Sequence, residues 1–148
     1  MKKQKLEILN AYGERIFVLH VDDASTGFKG LTLETLFAPC AKLPAMDFSG
    51  CKMYKPLLSE ADLSFSNFSD ADLSGANLQN AVLRHVNFSN AKFTQDAFGN
   101  SGSVAGADLT SAILDGAVLD GVEYDNDTIF PEFFDPAAHG MVLKTEES

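Results

Sequence analysis

Large apolar residues recur every five positions through the middle of this chain. Sixteen consecutive units between Met46 and Asn126 carry one at their third position, with a single spacing of six. A fixed internal repeat of this kind predicts a solenoid, because each unit can bury its apolar side only against its neighbours. The predicted core consists of Phe48, Leu63, Phe68, Leu73, Leu78, Leu83, Phe88, Phe93, Phe98, Leu109, Leu114 and Leu119.

A period of five excludes both a regular helix and a continuous strand. Five helical steps of about 100° advance an apolar position by about 140°, so no apolar stripe forms. A small residue, usually alanine, lies two positions before each large one, and this spacing puts both side chains on one face of an extended segment. The next small residue follows after three positions, so each unit is predicted to be a short strand followed by a turn. Ser, Asn, Asp and Gly fill the turn positions.

The run ADLSFSNFSDADLSGANLQNAVLRHVNFSNAKF, residues 61–93, resembles the A(D/N)LXX pattern of pentapeptide repeat proteins. This resemblance implies a mainly β fold, a right-handed four-sided β-helix of twenty residues per coil. Residues 46–126 would then form about four coils stacked about 4.8 Å apart. In that register Leu109 continues the column Phe48, Phe68 and Phe88, while Val104 and Tyr124 continue the column that holds Leu63 and Leu83.

The two flanking segments are predicted to cover the ends of the coil, where strand edges would otherwise be open. Residues 1–45 read as a β-hairpin, from KLEILN and RIFVLHV, and a short helix with Leu33, Leu36, Phe37 and Cys40 on its apolar side. Residues 127–148 form the other cap, with Ile129, Phe130, Phe133 and Phe134 folded over the last coil. Part of this tail resembles an FPxGFDP ending of some family members, with Phe133 at the usual glycine. A homodimer through the carboxyl-terminal end is the alternative to the aromatic cap.

The six-residue spacing between Phe98 and Val104 predicts that one residue bulges from the third coil, within the stretch Gly99 to Gly106. Just before it, Asp96 occupies an inward position. An unpaired buried carboxylate is costly, so Asp96 is predicted to accept hydrogen bonds from backbone N–H groups of the irregular loop.

The charge distribution argues against direct binding of nucleic acid. The net charge is −10, of which residues 46–126 carry −7 and residues 127–148 carry −4. A phosphate backbone requires Lys and Arg to displace its counterions, so a protein partner is expected instead. No signal peptide or transmembrane stretch is recognisable, which predicts a cytoplasmic protein with its two cysteines reduced.

The sequence favours a non-enzymatic scaffold that displays a rigid surface to another protein. The inward positions are apolar, no cofactor or metal site is predicted, and His20, His85 and His139 are too dispersed to share a metal. The alternative comes from the resemblance, since some pentapeptide repeat proteins mimic DNA and bind gyrase or another DNA-processing enzyme. The candidate partner-binding residues are Asp108, Asp115, Asp120, Glu123, Asp125 and Phe65.

Overall fold

The described part of the chain is built from strands and turns. The computed structural model describes residues 2–21, 24, 27–34 and 36–145, and these contain no α-helix. The named strands are β1 (Gln4–Leu9), β2 (Arg15–Val21), β3 (Glu123–Tyr124) and β4 (Val142–Leu143). One 3₁₀ turn lies at Ala137–His139. The prediction of a mainly β chain is confirmed.

Between β2 and β3 the chain winds through single-residue parallel bridges, most of which join residues 20 positions apart. The bridged residues form four columns, which we call faces A to D of the coil. Face A contains Asp47, Asn67, Asn87 and Ile113; face B contains Thr32, Lys52, Asp72, Lys92 and Val118; face C contains Phe37, Leu57, Asn77, Ser103 and Glu123; face D contains Lys42, Asp62, Val82, Asp108 and Ile129.

The residue that follows each bridged residue points into the coil. Behind face A, the rings of Phe28, Phe48, Phe68 and Phe88 stack with centroids 4.9 to 5.5 Å apart. All four rings are almost fully buried, so each contributes roughly 1.5 to 3 kcal/mol from removal of apolar surface from water. Stacking of equivalent side chains therefore builds the core.

Each corner of the coil contains a residue in the left-handed region of backbone space. The corner between faces A and B uses Gly50, Asp70, Asn90 and Gly116, whose φ values lie between +60° and +72°. Glycine, asparagine and aspartate tolerate this region best, because other side chains clash with their own backbone there. This geometry explains why the turn positions are rich in these residue types.

The third coil contains more extra residues than the single bulged residue that the sequence predicted. Asp72 bridges Lys92 after 20 residues, but Asn77 bridges Ser103 after 26, so six extra residues leave the coil between faces B and C. Phe98 lies in this loop with 79% of its surface exposed, and its assignment to the core is wrong. The pattern misleads here because Phe98 keeps the five-residue spacing although its backbone has left the coil.

The insertion also changes which residues stack above it. Ile113 bridges Asn87, so Leu114 and not Leu109 continues the phenylalanine column. Leu109 instead lies above Leu83, because Asp108 bridges Val82. By the same shift Val104 and Tyr124 follow Leu58 and Leu78 behind face C, and their predicted place above Leu63 and Leu83 is wrong.

The amino-terminal region forms the predicted hairpin but not the predicted helix. β1 and β2 pair antiparallel, with a bulge between Ile8 and Leu9. The backbone N–H of Lys42 donates to the carbonyl of Leu9 at 2.7 Å, which joins the hairpin to face D. The helix is wrong, because Thr32 and Phe37 bridge residues of the next coil. Parallel bridging therefore begins upstream of residue 46, within the segment assigned to the cap.

At the carboxyl-terminal end the chain covers faces C and D. β4 pairs parallel with β3 above face C, and Ile129 bridges Asp108 on face D. The ring of Phe130 packs edge-on against Tyr124 at 5.4 Å and stacks on Phe134 at 5.3 Å. Ile129 and Phe133 are exposed, so two of the four apolar residues predicted to fold over the coil point outward instead.

Candidate protein-interaction surface

Many outward carboxylates of the coil are used by the fold itself. On every face, an Asp or Asn side chain accepts a hydrogen bond from the backbone N–H two residues later, and a Ser or Thr hydroxyl often adds a second. The acceptors with such a bond are Asp47, Asp62, Asn67, Asp72, Asn77, Asn87 and Asp108. These side chains satisfy turn N–H groups and are therefore primarily structural.

Asp108, a candidate partner-binding residue, belongs to this structural set. Its Oδ1 accepts hydrogen bonds from the N–H and hydroxyl of Thr110, and its Oδ2 lies 3.4 Å from Nη1 of Arg84. Burial alone would raise the pKa of Asp108, but the bonds from Thr110 and the charge of Arg84 outweigh it and lower the pKa. The carboxylate is thus already committed within its own chain.

Asp125 is also held by its surroundings. Its Oδ1 accepts hydrogen bonds from the backbone N–H groups of Gly106 and Asp127, at 2.9 and 3.0 Å, and from the hydroxyl of Thr128. Burial acts to raise the pKa of Asp125, and these hydrogen bonds overcome that effect and lower it. Through these hydrogen bonds, Asp125 connects the turn after β3 to Gly106 of the coil below.

The remaining predicted acidic residues surround the last coil and do not converge on one patch. Asp115 is exposed at the corner between faces A and B, whereas Glu123 lies on face C. Asp120 lies at the next corner, between faces B and C, directly beneath the tail. A Cβ at Gly140 would come within 2.3 Å of its Oδ1, and Gly140 has a φ of 75°, so a side chain there would displace the Asp120 carboxylate and strain the backbone.

Phe65 lies apart from all of these, at the corner between faces D and A. Its ring is 63% exposed and stacks almost parallel on the imidazole of His85, with centroids 4.6 Å apart. The two residues occupy equivalent corner positions in successive coils, and both have positive φ values. The two stacked rings form an exposed aromatic patch that is separate from the acidic residues.

The loop inserted between faces B and C is ordered by Asp96, as the sequence predicted. Its carboxylate accepts hydrogen bonds from the N–H groups of Phe98 and Asn100, at 2.8 and 3.0 Å. The backbone bond from Asn100 makes the largest contribution to lowering the pKa of Asp96. Lys55 lies 3.6 Å from Asp96 and 4.9 Å above the ring of Phe98, and the Tyr54 hydroxyl accepts from the N–H of Ala97.

A groove of about 770 Å³ runs along the carboxyl-terminal edge of face A. One wall is the last strand of face A with its corner, residues 112–117, and the other is formed by residues 131–134 with His139. Phe133 lies in this wall with 97% of its surface exposed and a φ of 66°. An aromatic ring left almost fully exposed beside a concave surface marks this groove as a candidate site.

The sequence pattern does not reveal this groove, because Phe133 lies among apolar residues that fit an aromatic cap. The departure from glycine in the FPxGFDP-like ending was a usable signal. The ring of Phe133 gains almost no burial, so it contributes little to folding. Asp115, which the sequence did propose, is part of the same groove.

The coil also resembles solved structures. A pentapeptide repeat protein from the thylakoid lumen of Arabidopsis thaliana is 26% identical, with a TM-score of 0.55, over 69% of this chain and 71% of that one. A pentapeptide repeat protein from Nostoc is 30% identical over 66% of this chain and 84% of that one, with a TM-score of 0.35. QnrB1, a plasmid-mediated fluoroquinolone resistance protein, is 19% identical over 80% of this chain and 86% of that one, with a TM-score of 0.30.

Comparison with the curated proteins gave no match. A family model described as pentapeptide repeats matches residues 57–95 with eight copies. Those residues contain the bridged strands, left-handed corners and stacked apolar columns described above. The chain belongs to the pentapeptide repeat family.

Proposed function

We propose that this chain is a non-enzymatic scaffold that binds another protein at its carboxyl-terminal end. The observation that carries this proposal is the groove beside face A, where the exposed ring of Phe133 and the exposed carboxylate of Asp115 line one concave surface. Within the part of the coil that the structure describes, the interior offers no comparable space, because its columns are filled by apolar side chains. The void enclosed beneath the tail has a volume of only about 10 Å³.

Chemical crosslinking of the partner tests this proposal. The full chain is incubated with a lysate of its source, treated with a carboxylate-reactive crosslinker and analysed by mass spectrometry. We expect crosslinks from a reproducibly captured protein to map to Asp115 and Glu132 of the groove. In a pull-down without crosslinker, the Asp115→Asn/Glu132→Gln variant should recover less of that protein, while Asp70→Asn/Glu60→Gln, with two exposed carboxylates removed elsewhere, should recover it unchanged. Crosslinks confined to other faces, or no captured protein, would contradict the proposal.

The DNA-mimic alternative is less well supported by the hydrogen bonding of the carboxylates. Duplex DNA presents one charge per about 1.7 Å along its axis, and a mimic must offer free charges at a similar density. Asp47, Asp62, Asp72 and Asp108 instead accept hydrogen bonds from their own turns. Inhibition of gyrase supercoiling by micromolar protein would favour mimicry over the scaffold.

We propose that the protein is cytoplasmic. In the described ranges no helix is long and apolar enough to cross a membrane. The cytoplasmic assignment is consistent with Cys40 and Cys51 as free thiols. We propose that the hairpin and the aromatic tail act as caps on the two ends of the coil. A homodimer through the carboxyl-terminal end is the competing arrangement, which the oligomeric state in solution distinguishes.

A further inference from the structure

The carboxyl-terminal edge of face A has backbone groups that no described residue pairs. In the coil below, the carbonyl of Val86 accepts from the N–H of Ile113, and Phe88 and Asn90 donate to the carbonyls of Ile113 and Asp115. One coil higher, the equivalent groups are the carbonyl of Ala112 and the N–H groups of Leu114 and Gly116. Among the hydrogen bonds of the described chain these three groups have no partner. They present the pattern that a further parallel strand would satisfy.

This open edge coincides with the groove. Faces C and D are already continued by β4 and by Ile129, so only part of the end is open. The tail residues 131–134 form the opposite wall, which leaves room for a single extended segment beside residues 112–117. A complete second coil could not stack flat on this end, because the tail occupies two of its four sides.

The groove also restricts the chemistry of its occupant. Its acidic lining consists of the exposed carboxylates of Asp115 and Glu132, and the imidazole of His139 also lines the groove. Leu114 is half-buried at the open end of the phenylalanine column, and Phe133 presents a bare ring. A segment that covers this surface therefore needs an apolar side chain pointing inward and basic side chains beside the carboxylates. A second copy of this acidic chain would bring like charges together, which is unfavourable.

We infer that the groove binds an extended basic peptide of a partner protein, which adds to face A as a parallel strand. Its backbone N–H bonds the carbonyl of Ala112, and its carbonyls accept from Leu114 and Gly116. The apolar side chain stacks on Leu114, and the basic residue that follows it lies above Asp115. Strand addition of this kind supplies affinity through the backbone and selectivity through alternate side chains. The inference rests on the proposed scaffold function and identifies the class of partner.

A synthetic peptide tests the inference directly. The probe is acetylated and amidated AKLKGAK, labelled with fluorescein, and its binding to the full chain is followed by fluorescence anisotropy. Its first lysine supplies the N–H for Ala112, and its second lysine lies over Asp115. We expect saturable binding that weakens about tenfold or more when the amide nitrogen of the first lysine is methylated, because one backbone hydrogen bond is lost. A scrambled peptide of equal charge should weaken to the same extent.

Protein variants distinguish binding in the groove from nonspecific electrostatic attraction to the acidic chain. Asp115→Asn/Glu132→Gln should weaken binding about tenfold and reduce its salt dependence, whereas Asp70→Asn/Glu60→Gln should leave both unchanged. Phe133→Gly should weaken binding without lowering the melting temperature, since the ring buries almost no surface. A residue that served the fold alone would not show this combination.

Three results would overturn the inference. The first is an absence of binding at millimolar peptide, and the second is equal binding of the parent, methylated and scrambled peptides. The third is a dimer, seen by light scattering, whose dissociation by Ile113→Lys shows that a second copy occupies this edge. If the peptide fails while groove crosslinks to a partner persist, strand addition is wrong and the scaffold function stands.

Discussion

Removing one ring from the phenylalanine column gives the sharpest test of the fold. Phe68 is 1% exposed and lies between the rings of Phe48 and Phe88, at centroid distances of 4.9 and 5.5 Å. Truncation to alanine removes the transfer free energy of the ring, leaves a cavity between two rigid coils and breaks two aromatic contacts. Such losses amount to about 3 to 5 kcal/mol for a buried phenylalanine. We expect Phe68→Ala to lower the free energy of unfolding by about 4 kcal/mol.

The matched controls are two exposed phenylalanines outside the phenylalanine column. Phe65 lies three residues earlier and Phe98 lies in the inserted loop, and both are mostly exposed. Their alanine variants should each lower the free energy of unfolding by less than about 1 kcal/mol, since these side chains bury little apolar surface on folding. Urea unfolding at 25 °C, followed by circular dichroism, measures all three differences. A loss at Phe98 as large as that at Phe68 would refute the register and return Phe98 to the core.

Three further predictions concern charge, packing and the thiols. The pKa values of Asp47 and Asp108 are lowered, so their stabilisation is complete above the unfolded pKa of about 3.9 and is lost as the pH falls through the folded pKa. Asp47→Asn/Asp108→Asn should therefore flatten the fall in melting temperature between about pH 5 and pH 2. Leu114→Phe should extend the phenylalanine column and raise the free energy of unfolding in urea by about 1 kcal/mol. A lower free energy of unfolding would show that the end of the coil has no space for the larger ring. Burial raises the pKa of Cys51 to about 11, so a thiol reagent at pH 8 should modify the half-exposed Cys40 in the native chain and Cys51 only after unfolding.

The repeat predicts the coil well where each unit follows the same local rule. Between Phe48 and Phe93 the large residues lie inward as predicted, because neighbouring coils impose the same packing and the same turn on each unit. The amino-terminal hairpin was also predicted, since two segments that are apolar on both faces flank a turn-forming segment. In both cases a short-range pattern contains enough information to specify the structure.

The errors arise where long-range contacts or competing periods decide the structure. Leu33, Leu36 and Phe37 fit a helical spacing, yet Leu33 also belongs to the five-residue series from Phe28 to Phe48. Contact with the next coil selects that second pattern. The inserted loop is fixed by Tyr54 and Lys55, which lie about forty residues earlier in the chain. No local pattern could reveal those contacts, so the insertion was mistaken for a single bulge.

The same logic explains why the candidate site was only partly predicted. The number of carboxylates in the last coil suggested a role for Asp108 and Asp125, although both accept hydrogen bonds from backbone N–H groups of their own turns. The turns of the repeat thus use many of the polar side chains that, from the sequence alone, could be expected to bind a partner. Binding of a partner is then expected at the end of the coil, where side chains no longer have to bond the turns of a further repeat. Phe133 and Asp115 occur at such a place, beside a strand edge with no further coil to pair it.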